Sequence, residues 1–211
     1  MTIYIDLDGT ILDISQKYIN LFADLSGSSY ELALEFWAER KLGKSTEQVL
    51  GHLKYGKINP QTFADNWIEL IETREYLAYD KIFPGLLEMF ELIHKTHELV
   101  ICTARQSQDL LIEQLEDLKI LNYFQDVLVT EKKVSKLTLM SNHRKTLKSS
   151  DYEQDWIVGD TPEDITTGTQ INIKSCAVLS GLTPQHKFES LEVPPTDIKD
   201  SLLIFLGTLK N

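Results

Sequence analysis

Short runs of apolar and β-branched residues alternate with segments of helical periodicity along most of this chain. Five of these runs predict β-strands, at residues 2–7, 98–103, 126–130, 155–159 and 174–179. Between them, apolar residues recur at helical spacing, as at Leu111, Leu115 and Leu118. Such alternation is typical of βαβ units, so the sequence predicts an α/β fold with a doubly wound parallel sheet covered by helices.

One stretch between the first and second predicted strands has helical periodicity and almost no strand signal. We therefore predict an inserted helical subdomain at residues 14–82 and a main domain formed by residues 1–13 and 83–211. The predicted turns between its helices lie at Gly27, Gly43, Gly56 and Asn59-Pro60. Phe83-Pro84-Gly85 marks the return to the main domain.

The composition narrows the class of protein. A chain of 211 residues, 42% hydrophobic and 25% charged, buries a sizeable core. Its net charge of -11 disfavours nucleic acid as a partner, because phosphate backbones are bound by clustered lysines and arginines. The start of the chain lacks the pattern of a signal peptide, and no apolar run approaches the roughly 20 residues that span a bilayer. We expect no membrane partner and either a monomer or a homodimer.

The two cysteines, Cys102 and Cys176, both lie in apolar runs and lack CxxC spacing. This pattern favours buried thiols in a reducing compartment over a disulfide or a metal site. We therefore expect a cytoplasmic protein.

Two aspartates follow the first predicted strand in the run Asp6-Leu7-Asp8-Gly9-Thr10. Ligands of open parallel sheets bind at the carboxyl ends of the strands. Carboxylates placed beside a core must be solvated, paired or metal-bound. By itself the run is also compatible with an Asx-type turn at Gly9, so the other strand ends decide its interpretation.

The second predicted strand ends at Thr103, whose hydroxyl, with backbone amides ahead of the next helix at Ala104 and Arg105, could bind a phosphate oxygen. Taken alone, Thr103 equally suits a helix N-cap. Only their position beside the other strand ends favours a phosphate-binding role for these residues.

The fourth predicted strand ends in Gly159-Asp160, and Asp164 follows in the first turn of a helix opened by Thr161 and Pro162. Asp164 alone would suit the dipole of that helix. Asp6, Asp8 and Asp160 would repel one another at a shared edge of the sheet. Mg2+, a hard cation that binds oxygen ligands, resolves that conflict, so the sequence predicts a magnesium site.

A phosphate beside carboxylates also calls for a fixed cation. The candidate side chains are Lys132, Lys133, Lys136, Lys145 and Lys148. Lys136 is favoured because it opens the helical run after the third strand, from which its ammonium could reach back over the sheet edge. Lys133 is the close alternative.

These motifs resemble those of the haloacid dehalogenase (HAD) superfamily, whose members have a DxDGT first motif, a Ser/Thr second motif, a lysine third motif and a GDxxxD fourth motif. The matching residues are Asp6, Asp8, Gly9 and Thr10 for the first, Thr103 for the second, and Gly159, Asp160 and Asp164 for the fourth. The insertion resembles the helical C1 cap of phosphoglycolate-phosphatase-like members. The resemblance implies a Rossmann-like core. The Lys-Pro form of the third motif is absent, and the spacing to Asp160 favours Lys136 over Lys133.

The resemblance implies a phosphatase mechanism. Asp6 would attack phosphorus and form an aspartyl-phosphate, and Asp8 would protonate the leaving oxygen and later activate water. Asp6, Asp160 and the main-chain carbonyl of Asp8 would hold Mg2+, with Asp164 either as a further ligand or as support behind the ligands. Thr103 and Lys136 would bind the remaining phosphoryl oxygens. Further contacts to a small phosphorylated metabolite are expected from Thr10, Ala104 and Arg105.

The cap would select the leaving group. Its candidate contact residues are Arg40, Lys41, Lys44, Lys54, Lys57 and Arg74, although basic residues on short helices are usually solvated. His94 and His97 have no third ligand in view, so we interpret them as C-terminal helix residues.

Three alternatives to a phosphatase stay open or are disfavoured by specific features. A phosphomutase of the β-phosphoglucomutase type shares the first motif and a helical cap. A non-catalytic binding protein could keep the fold. A phospho-acceptor signalling domain is disfavoured by the length of the insertion and by the second aspartate, Asp8.

Overall fold

The computed structural model describes residues 1–52, 59–147 and 152–210. Gly56, Lys54, Lys57 and Lys148, which the sequence singles out, lie outside the described residues. The chain forms two compact units, one of Met1–Asp13 with Ile82–Asn211 and the other of Ile14–Lys81. Every helix in the described ranges is too short or too polar to cross a membrane.

Eight strands are present among the described residues. In chain order they are β1 (Thr2–Ile5), β2 (Leu12–Asp13), β3 (Lys81–Ile82), β4 (Glu98–Thr103), β5 (Asp126–Val129), β6 (Trp156–Gly159), β7 (Lys174–Val178) and β8 (Asp197–Lys199). Six of them form one sheet in the order β5-β4-β1-β6-β7-β8, and all neighbouring pairs are parallel. Because the strand order reverses direction at β1, the sheet is doubly wound, which confirms the predicted fold class.

The strands differ from their predicted bounds at two informative places. β1 ends at Ile5, two residues early, because the carbonyl of Leu7 accepts hydrogen bonds from the amides of Thr10, Ile11 and Leu12 and so closes a turn. β8 is not predicted by the sequence pattern. It has one apolar residue, Ile198, between two charged ones, and it forms by pairing with β7.

Helices cover the sheet. Numbered in chain order after those of the other unit, they are α6 (Leu86–Ile93), α7 (Gln108–Asp117), α8 (Lys136–Thr146), α9 (Pro162–Gln170), α10 (Gln185–Glu189) and α11 (Leu202–Gly207). On one side, Tyr4, Val100 and Ile157 from the central strands pack with Met140 of α8. Elsewhere, Ile165 of α9 packs with Ala177 and Phe188. Strands buried on both faces read as nearly continuous apolar runs, which is why the sequence reveals them clearly.

The second unit is helical. Its helices are α1 (Ser15–Ser26), α2 (Tyr30–Lys41), α3 (Thr46–His52), α4 (Pro60–Leu70) and α5 (Arg74–Leu77). Phe22 and Phe36 stack at 4.1 Å between ring centroids in an apolar core that also contains Val49 and Phe63. Lys17 and Asp80 form a buried ion pair at 2.8 Å. This unit therefore has its own core.

Candidate active site

The carboxyl ends of β1, β4 and β6 bring the predicted strand-end residues to one edge of the sheet. Ile5 of β1 is paired with Ile101 of β4 and with Val158 of β6. The amide of Asp6 donates to the carbonyl of Val158 at 2.9 Å. Parallel register therefore places Asp6 beside the ends of both neighbouring strands.

A tight turn follows Asp6 and approaches Asp160 closely. Gly9 has φ +79°, in the left-handed region that disfavours other residues. A Cβ atom at this position would lie 2.8 Å from Oδ2 of Asp160. The glycine of the first motif is therefore needed both for the turn and for the space beside Asp160.

Lys136 lies against Asp6. Ser135 caps the N-terminus of α8, because its side chain accepts a hydrogen bond from the amide of Thr138, and Lys136 is the first residue of that helix. Its side chain is only 2% exposed, and Nζ donates to Oδ1 of Asp6 and to Oδ1 of Asp164, both at 2.6 Å. One ammonium thus connects the first and fourth motifs.

The other candidate lysines in the described residues lie elsewhere. The side chain of Lys133 is 73% exposed and pairs with Glu131 at 2.9 Å. Lys132 is exposed, and Lys145 is exposed beside Asn142. The structure therefore places Lys136, and not Lys133, beside Asp6.

Asp164 is fully buried in a capping box at the start of α9. Its Oδ2 accepts hydrogen bonds from the amide and the hydroxyl of Thr161, at 3.1 and 2.6 Å. A Cβ atom on Gly159 would lie 2.2 Å from that oxygen, so only glycine fits there. Because Thr161 and Lys136 hold both of its oxygens, Asp164 supports the lysine and the strand end.

Asp160 is held by a loop after β7 that sequence reasoning did not single out. The amide of Leu182 donates to Oδ2 of Asp160 at 3.0 Å, and the hydroxyl of Ser180 donates to the carbonyl of Gly9 at 2.7 Å. A Cβ atom on Gly181 would lie 1.7 Å from Oδ2 of Asp160. A glycine just after a buried strand was the available signal.

The carboxylates can hold a divalent cation. One oxygen from each of Asp6, Asp160 and Asp164 lies within 4.8 Å of the others. Oδ1 of Asp160 is buried and has no hydrogen-bond partner among the described residues. Three carboxylates against the single ammonium of Lys136 leave two negative charges, which is the charge that Mg2+ neutralises. The donor set and the orphaned oxygen therefore fit Mg2+.

The electrostatics show the same charge excess. Burial, with the charge of Asp164 added, raises the pKa of Asp160 to about 6. Burial also raises the pKa of Asp6 well above its usual value, despite the opposing effect of Lys136. For Lys136, burial disfavours the charged form, but Asp164 and Asp6 outweigh it and raise the pKa well above the usual range. The lysine is thus charged, and a further cation would favour the ionised forms of Asp6 and Asp160.

The remaining predicted site residues lie on the turn after β1 and at the end of β4. Thr103 ends β4 and is buried, whereas Ala104 is exposed. Thr10 is fully buried, and its hydroxyl oxygen has no hydrogen-bond partner in the described part of the chain. The guanidinium of Arg105, which was expected to contact the substrate, forms an ion pair with the carboxylate of Asp8.

Other residues that the sequence singled out belong to other parts of the chain. His94 follows α6, and its Nδ1 lies 2.7 Å from the carbonyl of Phe90, so it is a helix-end residue as predicted. Cys102 and Cys176 are free and buried, as predicted, and burial raises the pKa of each to about 12. In the helical unit, Arg40 donates to the carbonyl of Lys44 at 2.5 Å.

The sequence was compared with known protein families and with curated proteins. The model of the family described as haloacid dehalogenase-like hydrolase matches residues 3–178. No curated protein matches the sequence.

Solved structures share the fold over nearly the whole chain. A haloacid dehalogenase-like family hydrolase from Streptococcus pneumoniae is 19% identical, with 99% of this chain and 97% of that one covered and a TM-score of 0.74. A HAD-hydrolase from Bacillus subtilis, bound to magnesium, is 15% identical, with 100% of this chain and 98% of that one covered and a TM-score of 0.68. A predicted phosphatase from Clostridium acetobutylicum is 15% identical, with 99% of this chain and 97% of that one covered and a TM-score of 0.68. At these identities the likeness concerns the fold.

Proposed function

The chain belongs to the haloacid dehalogenase-like hydrolases, and on that premise we propose that it is a Mg2+-dependent phosphatase of small phosphomonoesters that uses Asp6 as its nucleophile. The observation that carries this proposal is the buried cluster in which Lys136 donates to Asp6 at 2.6 Å beside Asp160 and Asp164. A site of this charge suits a phosphoryl group only when a divalent cation joins the lysine.

Asp6 is suited to in-line attack. One oxygen, Oδ1, is held by Lys136, which fixes the carboxylate and leaves Oδ2 for the reaction. Attack on phosphorus would give an aspartyl-phosphate and release the alcohol, and water would then hydrolyse that intermediate. The preset geometry lowers the entropic cost of the first step.

Asp8 is suited to proton transfer. It lies two residues after Asp6, past the end of β1, and its side chain is 30% exposed, whereas Asp6 is buried. It would donate a proton to the leaving oxygen as the P–O bond breaks and take a proton from the attacking water in the second step. The two carboxylates thus have separate duties.

Asp6 and Asp160 would hold Mg2+, with the main-chain carbonyl of Asp8 and with support from Asp164. When bound, Mg2+ supplies charge neutralisation for the phosphoryl oxygens. Lys136 and the hydroxyl of Thr103 would bind the remaining phosphoryl oxygens.

The test is phosphate release from 4-nitrophenyl phosphate and from a panel of phosphorylated metabolites, with Mg2+ and with EDTA. We expect turnover that depends on Mg2+ and falls by at least about 10³-fold in Asp6→Asn, the scale of losing a covalent nucleophile. Asp117→Asn, at the exposed last residue of α7, is the matched control and should keep wild-type activity. Turnover that is equal in Asp6→Asn, or the same in EDTA, would overturn the proposal.

A further inference from the structure

The side chain of Arg105 makes a two-point contact with Asp8. Nε donates to Oδ2 at 2.5 Å and Nη2 donates to Oδ1 at 2.7 Å. A planar guanidinium that binds both carboxylate oxygens fixes the rotation of the carboxylate as well as its position. A lysine, with a compact charge on a flexible stem, cannot do this.

The two side chains differ in burial. Arg105 is 3% exposed, whereas Asp8 is 30% exposed. The guanidinium therefore lies behind the carboxylate, and the carboxylate faces the accessible side. A buried guanidinium needs a counter-charge, because removing one partner of a buried ion pair is strongly unfavourable. Asp8 supplies that charge.

The backbone on both sides of this contact is anchored. The amide of Glu131 donates to the carbonyl of Arg105 at 3.0 Å, and the amide of Thr130 donates to the carbonyl of Thr103 at 3.0 Å. These bonds tie the loop after β4 to the loop after β5. On the Asp8 side, Ser180 holds the carbonyl of Gly9. Arg105 thus joins two loops whose backbones are already fixed.

We propose that Arg105 is a positioning residue that holds the Asp8 carboxyl group where the leaving oxygen is protonated. The inference rests on the proposed function, in which Asp8 is the acid and base. A carboxylate offers two lone pairs on each oxygen, and the fork of Arg105 takes one on each. Loss of the fork would remove two charge-assisted hydrogen bonds and widen the range of orientations of the partly exposed Asp8 carboxyl group at the leaving oxygen.

This role differs from direct substrate binding. A guanidinium that contacted the phosphoryl group would contribute equally whatever alcohol leaves, because the phosphoryl group is common to all substrates. A guanidinium that acts through Asp8 matters most when the leaving oxygen needs a proton. Poor leaving groups depend on the acid, and good ones hardly do.

The experiment measures kcat/KM for a series of substituted phenyl phosphates that runs from 4-nitrophenyl to 4-methoxyphenyl. This parameter covers the steps up to formation of the aspartyl-phosphate, in which Asp8 acts as the acid. We expect Arg105→Gln to lose about 10- to 100-fold on the poorest leaving group and less than about 3-fold on the best, as partial loss of acid catalysis predicts. Arg105→Lys should show the same slope, because it keeps the charge and lacks the fork.

Three controls complete the design. Arg144→Gln removes another guanidinium of the same unit, which donates to the carbonyl of Ile171 at 2.5 Å, and it should leave the series unchanged. Circular dichroism checks that each variant is folded. In an Asp8→Asn background, measured by single turnover, Arg105→Gln should add no further loss, since the group that it positions is gone.

Equal losses across the series, or a full further loss in the Asp8→Asn background, would overturn the inference and assign Arg105 to the substrate instead. The Asp6→Asn variant tests the proposed function independently of Arg105. If Asp6→Asn keeps its turnover, the proposed function fails. If Asp6→Asn is inactive and the Arg105 losses are uniform, only the inference about Arg105 fails.

Discussion

The substitution Asp160→Asn should stabilise the metal-free protein while it abolishes the response to Mg2+. Asp160 is buried, its Oδ2 accepts from the amide of Leu182, and its Oδ1 has no partner among the described residues. Asparagine keeps the acceptor for Leu182 and removes one of the two excess negative charges of the cluster. The same change removes an oxygen that the metal needs.

The magnitude follows from the pKa of Asp160, which burial and Asp164 raise from 3.8 to about 6. A raised pKa in the folded state means that stability is fully present below pH 3.8 and is lost as pH rises to about 6. A difference of roughly two units corresponds to about 3 kcal/mol. Metal-free Asp160→Asn should therefore exceed the wild type by up to about 3 kcal/mol above pH 6, and this advantage should shrink towards pH 4.

The assay is urea unfolding at a series of pH values in EDTA, followed by circular dichroism, and repeated with Mg2+. At a Mg2+ concentration about ten times its dissociation constant, linkage predicts a gain of about 1.4 kcal/mol for the wild type. The variant should gain nothing. Asp155→Asn is the matched control: Asp155 is also buried and accepts from the amide of Thr2 at 2.7 Å, away from the cluster, so its Mg2+ response should stay. If metal-free Asp160→Asn is less stable than the wild type at pH 7.5, the charge of Asp160 does not destabilise the metal-free protein.

Two further predictions test the parts that hold the cluster. Lys136→Met should abolish turnover and lower the free energy of unfolding of the metal-free protein by about 3 kcal/mol or more, because it leaves buried carboxylates without their counter-charge. Lys133→Met, on an exposed side chain, should change neither quantity. Equal effects of the two substitutions would contradict the placement of Lys136 beside Asp6. Gly181→Ala should displace Asp160 and reduce kcat/KM by about 10- to 100-fold. Gly207→Ala should not, because an added methyl group there meets no other part of the described chain within 4 Å. Wild-type kinetics for Gly181→Ala would show that the loop after β7 does not hold the site.

The convergence of Asp6, Thr103 and Asp160 could be predicted from the sequence, because parallel strands that are buried on both faces stand out as apolar runs and end at one edge. The first polar residue at each strand end then indicates which chemical group that strand contributes to the site. β8 could not be found in this way, since a three-residue strand with one apolar side chain has no local signal and depends on pairing with β7.

The choice between Lys133 and Lys136 depended on a turn that the sequence does not reveal. Glu131 and Lys132 both have positive φ, at 48° and 55°, so the chain reverses before Ser135 caps α8. Only that reversal decides which lysine reaches Asp6. The contact of Arg105 with Asp8 joins residues 97 positions apart, and it likewise needs the folded chain.

The proposed function requires that Asp6 carries the phosphoryl group during turnover. Enzyme quenched in acid during turnover with Mg2+ and substrate, then reduced with borohydride and digested, converts an aspartyl-phosphate to homoserine that mass spectrometry can locate. Homoserine is expected at position 6, and it should be absent without substrate and absent in Asp6→Asn. Phosphate release with the modification at another residue, or with none at all, would contradict it.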